Sequence, residues 1–380
     1  MSDRVYLDHA AATPVDPNVL AAMLPYFTDR FYNPSAIYMA AENVHKDIES
    51  ARSMVAQVLG VKQAEIIFTA GGTEANNLAI SGVTRQFPGK KLVVSAVEHE
   101  SVIAPALAAG ARLAPVNGSG RVLVDELIDL IDDDTVLVSV MLANNEIGTV
   151  QPVRQISQRI ERIRQERRKR GVDHPLYLHT DAAQAVNYID VHISSLGVDL
   201  MTLNGGKIYG PKASGALYIS NTVQMQPLIL GGGQESGFRS GTENVPAIIG
   251  FATALEAAQK LRTTEVVRLK PLQGLFCKLL HERFPNSVIN GSNTHRLPNN
   301  VHVTFPGKDN ERILFGLDEA GIDAAAGSAC SASSDEPSHV LKACGISDAD
   351  AQASVRFTLG RTTTEEHVHK VVMALDTIVA

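Results

Sequence analysis

Between Glu65 and Ile219, short β-rich runs alternate with helical patterns, and this alternation limits the possible folds more than any other feature of the chain. The strand candidates are Glu65–Thr69, Lys91–Val97, Val136–Leu142, Leu176–Thr180, Asp199–Leu203 and Ala216–Ile219. Several are apolar on both faces, as strands must be when helices cover them from either side. Helical patterns follow Gly72 and span Val153–Arg170. Such alternation predicts an α/β layer architecture around a mostly parallel sheet. At 380 residues the chain exceeds what one hydrophobic core usually serves, so two domains are expected. Near Gly250 the pattern changes. Phe251–Leu280 reads as one long helix bridging two domains, followed by an Asn- and Pro-rich loop, a strand at Val301–Phe305 and further α+β patterns.

Hydrophobic residues make up 44% and charged residues 20% of the sequence, the balance of an ordinary globular protein. A net charge of -7 gives no general attraction to nucleic acid or to an anionic membrane. Arg154–Arg170 is a local exception, with eight Lys or Arg in seventeen residues. Ile156, Ile160 and Ile163 recur there at helical spacing, so the charges read as the solvated face of an amphipathic helix. The N-terminal residues lack the pattern of a signal peptide, and no segment reaches the roughly 18 apolar residues of a membrane helix. Cys277, Cys330 and Cys344 are few, odd in number and not in CxxC spacing. This argues against a disulfide framework or a metal site and for a reducing, cytoplasmic setting.

Several stretches carry residues suited to chemistry. Thr69–Glu74 follows a strand and opens a helix, and its glycines let an anion approach unpaired N–H groups. His179–Gln184 ends another strand, where open α/β sheets gather ligands; Asp181 is either a helix cap or a partner for a protonated pyridine nitrogen. Asn204–Lys212 sets Lys207 among glycines, as a turn lysine or as a desolvated amine able to form a Schiff base. His99 lies just past a strand end, where an imidazole suits a planar ligand. Asn144–Gly148 leaves the most apolar strand. Arg239 and Arg356 each lie beside small residues, as a bidentate grip on phosphate or carboxylate requires. In Ala324–Ser334 every side chain is Ala, Gly, Ser or Cys, with Cys330 near its centre.

Taken together and in this order, these stretches resemble the cysteine desulfurases of the NifS/IscS type, among the fold-type I enzymes that use pyridoxal 5'-phosphate (PLP). The resemblance begins at Tyr6–Pro14, continues through Tyr32–Ser35, Gly72–Asn77, Glu98–Glu100, Asn144–Gly148 and Asp181–Gln184, and ends with Lys207–Lys212, Arg239–Thr242, Gly327–Cys330 and Arg356–Arg361. It implies a fold-type I transferase: a large domain (15–255) with a mostly parallel seven-stranded sheet, and a smaller α+β domain (1–14 and 256–380) bearing Cys330. By the same resemblance Lys207 anchors the cofactor, Asp181 faces the pyridine nitrogen, Gln184 the ring hydroxyl, and His99 stacks on the ring. Asn145 contacts the cofactor as well. Gly72, Thr73 and Asn204 lie at the phosphate, joined by Thr242 of a neighbouring subunit in a homodimer. Asn33 and Arg356 receive the carboxylate of L-cysteine. Lys207, His99 and Cys330 carry the catalysis, and Cys330 passes its sulfur to iron–sulfur scaffold or tRNA-thiolating proteins.

One departure stands out. Relatives usually carry His immediately before the anchoring lysine and Ser two residues earlier; here those positions are Gly206 and Asn204. The cofactor phosphate therefore loses a donor, and weaker PLP binding is expected. A selenocysteine lyase and a non-catalytic sulfur-trafficking scaffold are the alternatives, and Cys330 and Lys207 respectively discriminate against them.

Overall fold

The computed structural model describes residues 4–327 and 337–379, so Cys330 lies outside the described residues. A short strand, β1 (Val5–Tyr6), opens the chain. The central sheet follows: β2 (Ile66–Thr69), β3 (Lys91–Ser95), β4 (Arg112–Ala114), β5 (Thr135–Ser139), β6 (Tyr177–Asp181), β7 (Leu200–Asn204) and β8 (Gly215–Ile219). Their order across the sheet is β2-β8-β7-β6-β5-β3-β4. Only β8 runs against the rest, pairing antiparallel with β2 and β7. The C-terminal ends of β2, β3, β5, β6 and β7 consequently meet along one edge, where an open α/β sheet binds its ligands.

All six expected strands of this region begin or end a residue or more from where the sequence alone put them. Strand β4 was not foreseen. The apolar runs do fill the sheet: β5, β6 and β8 are buried at every position. Helix Val153–Arg170 packs Ile156 and Ile160 inward, and several of its arginines find partners within the chain. Arg167 donates to the Thr135 carbonyl at 2.9 Å, and Arg170 pairs with Asp133. Arg154, Arg162, Arg168, Lys169 and Arg170 stay exposed, the solvated face that the spacing predicts.

The bridging helix runs Val245–Arg283, longer at both ends than its apolar pattern suggested. Asn244 caps it by accepting from the Ala247 N–H, and Pro246 sits in its first turn, where a missing N–H costs nothing. Its first half buries Ile248, Phe251 and Leu255 against the central sheet. Its second half places Leu269, Phe276 and Leu280 in a separate core. That second core is built on β9 (Val288–Ile289), β10 (Asn300–Thr304), β11 (Ile322–Asp323) and β12 (Ser354–Thr358). Strand β10 lies between β9 and β12, while β1 pairs in parallel with β11. The N-terminal segment then runs past β12, with Thr358 N–H bonded to the Leu7 carbonyl, and carries Ala10 and Ala11 to the edge of the central sheet.

Candidate active site

A cleft of about 590 Å³, counting its open mouth, lies at that edge. Lys207, Asp181, His99, Gln184, Asn145, Asn204, Gly72, Thr73 and Arg356 all line it. Nine sequence-predicted residues, drawn from stretches some 280 residues apart, thus share one cavity. Asn33 and Thr242 do not line it; both are exposed on this chain, and Thr242 borders a separate pocket with Arg239 and Phe68.

Each wall has a local cause. Gly71 caps helix Gly72–Gln86 with φ +119, a backbone that favours glycine. Gly72 sits so close to Asn204 that an added Cβ would come within 3.3 Å of the amide. The helix N-terminus thereby opens into the cleft with its N–H groups unobstructed, as anion binding requires. The Asn204 Oδ1 accepts from Gly206 N–H at 3.1 Å, and its amide nitrogen is the end that lies beside Gly72. Lys207 follows in a tight turn, fixed on both sides: the Gly206 carbonyl accepts from Thr13 N–H, and the Lys207 carbonyl from Asn187 Nδ2. The Lys207 amine donates to the Ala11 carbonyl.

Asp181 ends β6, buried. Its Oδ1 accepts from Ala183 N–H at 2.9 Å and its Oδ2 from Asn76 Nδ2 at 2.7 Å. The same Asn76 nitrogen donates to Ser101 Oγ, which lies 2.8 Å from His99 Nδ1. His99 Nδ1 also accepts from Ser101 N–H as the cap of helix Glu100–Ala108. Burial lowers the proton affinity of His99 more than the Asp181 charge restores it, and Lys207 lowers it further. His99 is therefore a neutral ring at neutral pH, with Nδ1 bare and committed to Ser101. Asn76 and Ser101 link the carboxylate to the imidazole, and sequence reasoning missed both. Asn76 was legible only as one more member of the Gly72–Asn77 run. The signal for Ser101 is its place two residues after His99, where a capping partner belongs.

Arg356 reaches the cleft from β12, almost wholly buried. Its guanidinium pairs with Asp8 at 2.7 Å and donates to the Asn145 carbonyl at 3.0 Å, while Nε has no partner among the described residues. Asn145 Oδ1 is likewise buried and unpartnered. A buried amide oxygen left open beside a cleft is costly unless something arrives to bond it. An amine, a fixed carboxylate, a neutral ring, a helix N-terminus and an open amide are together what a phosphorylated pyridine aldehyde needs, so the residues present fit PLP.

Residues 5–371 match the class-V aminotransferase family. The chain belongs to that family. It is a PLP-dependent enzyme, as the cleft chemistry requires. Among curated proteins it is 41% identical to a cysteine desulfurase IscS of Dictyoglomus turgidum, over 100% of this chain and 95% of that one. Among solved structures it matches a NifS-like protein with TM-score 0.90 and 32% identity over 99% of both chains. It also matches SspA in complex with cysteine, with TM-score 0.77 and 32% identity over 93% of this chain and 98% of that one. The fold is that of the NifS-like PLP enzymes, as the sequence resemblance implied. No helix among the described residues is long and apolar enough to cross a membrane.

Proposed function

We propose that this chain is a cysteine desulfurase, taking sulfur from L-cysteine, releasing L-alanine and holding the sulfur as a persulfide on Cys330. The observation that carries the reading is the meeting of Lys207, Asp181 and His99 on one cleft. Full-length likeness to a desulfurase supports it. When bound, PLP supplies an aldehyde for the amine and an electron sink for the substrate Cα. Lys207 would anchor it through its amine, and that amine is the group placed to take the substrate Cα proton. Asp181, fixed by Asn76 and Ala183, faces the pyridine nitrogen and keeps its proton in place. His99 stacks on the ring, Gln184 meets its hydroxyl and Asn145 contacts the cofactor. Gly72, Thr73 and Asn204 receive the phosphate. Asn33 and Arg356 hold the substrate carboxylate.

Cys330 acts as the thiolate, the form of cysteine that attacks. Its sulfur bonds to the substrate sulfur, the substrate C–S bond breaks, and the electron pair of that bond goes to Cβ, which takes up a proton as alanine leaves. No outside oxidant or reductant is required.

The active form is a homodimer, in which a second copy brings Thr242 to the phosphate. Support comes from the exposed position of Thr242 and from the bare apolar side chains Phe27, Phe31, Ile37 and Met39 around Asn33. The domains divide as 15–255 and 1–14 with 256–380, in keeping with the two cores that the bridging helix serves. The enzyme is cytoplasmic, and its sulfur goes to an iron–sulfur scaffold or a tRNA-thiolating protein. To test the reading, the purified protein is reduced with borohydride and digested, and turnover of L-cysteine is followed. A pyridoxyl label on Lys207, alanine as product and a persulfide on Cys330 are expected. A Cys330→Ala variant that makes alanine from cysteine at full rate would overturn the persulfide route.

A further inference from the structure

The turn that carries Lys207 leads into a residue with an unusual backbone. Tyr209, two positions after the lysine, has φ +63, a region that is rare and costly for any residue with a Cβ. The side chain is buried. Such a conformation persists only where the surroundings impose it. Here they hold every polar group the residue has. Tyr209 N–H donates to Thr13 Oγ1 at 2.8 Å, and its carbonyl accepts from Asp16 N–H at 2.9 Å. Its hydroxyl accepts from Arg361 N–H at 2.8 Å, and the Arg361 guanidinium lies 3.9 Å from the ring centre.

Both ends of this grip are themselves fixed. Thr13 Oγ1 also donates to the Gly206 carbonyl at 3.2 Å, so one hydroxyl spans the turn from the residue before Lys207 to the second residue after it. Arg361 pairs with Asp16 at 2.9 Å, and the other Asp16 oxygen caps helix Pro17–Met23 by accepting from Asn18 N–H. Arg361 lies three residues beyond β12, the strand that carries Arg356 to the cleft. The backbones that bear Lys207 and Arg356 are thus joined through one tyrosine. Neither Tyr209 nor Arg361 lines the cleft, and the proposed chemistry uses neither. A ring that only filled the core would need no left-handed backbone and no guanidinium across its face.

We infer that Tyr209, clamped by Arg361, is a positioning residue for Lys207: the pair ties the turn that bears the amine to the strand that bears Arg356. The inference rests on the roles of Lys207 and Arg356 in the proposed function. A cation over an aromatic face is attracted to it, more strongly where water is excluded. Releasing the clamp lets Tyr209 relax toward an ordinary φ, which moves the chain around Lys207 relative to Arg356. Misplacement of a reacting group by about 1 Å costs up to about a hundredfold in rate. A held amine also resists replacement, because its effective concentration at the cofactor exceeds that of a free amine in solution. The clamp therefore acts on what the lysine does and leaves the groups that receive the substrate carboxylate in place.

The test compares Tyr209→Leu, Tyr209→Phe and Arg361→Met with the unsubstituted holoenzyme, and takes Leu280→Ala in the second core as a control for plain loss of stability. The kcat for L-cysteine, per bound cofactor, should fall by about tenfold in Tyr209→Leu and Arg361→Met, with KM within about twofold. Tyr209→Phe keeps the ring under the guanidinium and should retain most of the rate. The second readout needs no turnover: methylamine is titrated against the holoenzyme, borohydride traps whichever amine holds the cofactor, and the label on Lys207 is counted. Methylamine should displace Lys207 at several-fold lower concentration in Tyr209→Leu and Arg361→Met, and at the unchanged concentration in Tyr209→Phe and Leu280→Ala. If Tyr209→Leu fails to fold, Arg361→Met against Tyr209→Phe carries the same comparison. Unchanged kcat and unchanged displacement in Arg361→Met overturn the inference, and so does an equal change in Leu280→Ala. An unsubstituted protein that makes no alanine from cysteine sinks the desulfurase reading, whereas the methylamine competition still decides whether Tyr209 and Arg361 position Lys207.

Discussion

Glu98 is fully buried beside the site, accepting from Met141 N–H at 2.6 Å through Oε1 while Oε2 meets no partner among the described residues. Burial pushes its carboxyl up to about 8, against the pull of Met141 N–H and Ser95 and with help from the Asp181 charge. At neutral pH it is mostly a neutral acid. The folded state binds this proton more tightly than the unfolded chain does, so its contribution is fully present below the ordinary glutamate range. That contribution is lost as pH rises toward about 8. Glu98→Gln keeps the acceptor and a donor in nearly the same shape but cannot ionise. We expect the variant to gain on the unsubstituted protein as pH rises from about 5 to about 8, by a few kcal/mol at the upper end. Urea unfolding across that range measures it, and a constant difference would mean that Glu98 is ionised throughout. His99, next in sequence, has the opposite sign: burial strips its proton, and Ser101 fixes which nitrogen stays bare.

The turn after β7 holds the one element where this chain departs from the pattern it resembles. A Cβ at Gly206 would meet nothing nearer than 3.6 Å, and the residue shows no left-handed backbone, so the turn admits a Cβ without a clash or backbone strain. Gly206→His should therefore restore a donor to the phosphate end of the cleft and tighten PLP about tenfold, one hydrogen bond to a charged group. Titration of PLP into apoprotein measures it, and unchanged or weaker binding would mean that Asn204 and the backbone already satisfy the phosphate. The turn and its lysine were legible because glycines, a lysine and a preceding apolar strand leave a mark in sequence. Other elements left less. Arg112–Ala114 is three residues long at the sheet margin, too short for any period to register. The bridging helix was read as starting at Phe251, although Asn244 and Pro246 carry start signals that its apolar pattern overshadowed. Asn76 escaped because a polar residue inside a helix reads as solvent-facing. Here the helix end points into a cleft, and burial turns that amide into a brace for Asp181.

At the scale of the molecule, the proposed homodimer is what would bring the remaining expected residues to the cleft. Asn33 and Thr242 belong to the expected site yet lie outside it, and both are exposed. Around Asn33 several large apolar side chains are exposed: Phe31 is 66% exposed, Ile37 102% and Met39 77%. Burying each of these against a partner is worth roughly 1.5–3 kcal/mol, enough for the patch to serve as the interface of the proposed homodimer. In the proposed homodimer a second copy would cover this patch and bring its Thr242 loop toward the phosphate, which would account for both facts at once. We expect sedimentation at twice the chain mass of 40.7 kDa. The double variant Ile37→Glu, Met39→Glu should shift to monomer, since two buried unpaired charges cost more than the contact returns. PLP content should fall with it, because Thr242 of the partner is lost from the phosphate. Thr242→Ala in the intact dimer separates the two effects: it should weaken PLP while leaving the mass unchanged. A monomer that holds PLP as tightly as the dimer would refute the shared site, for then every group the cofactor needs must already lie within the single-chain cleft.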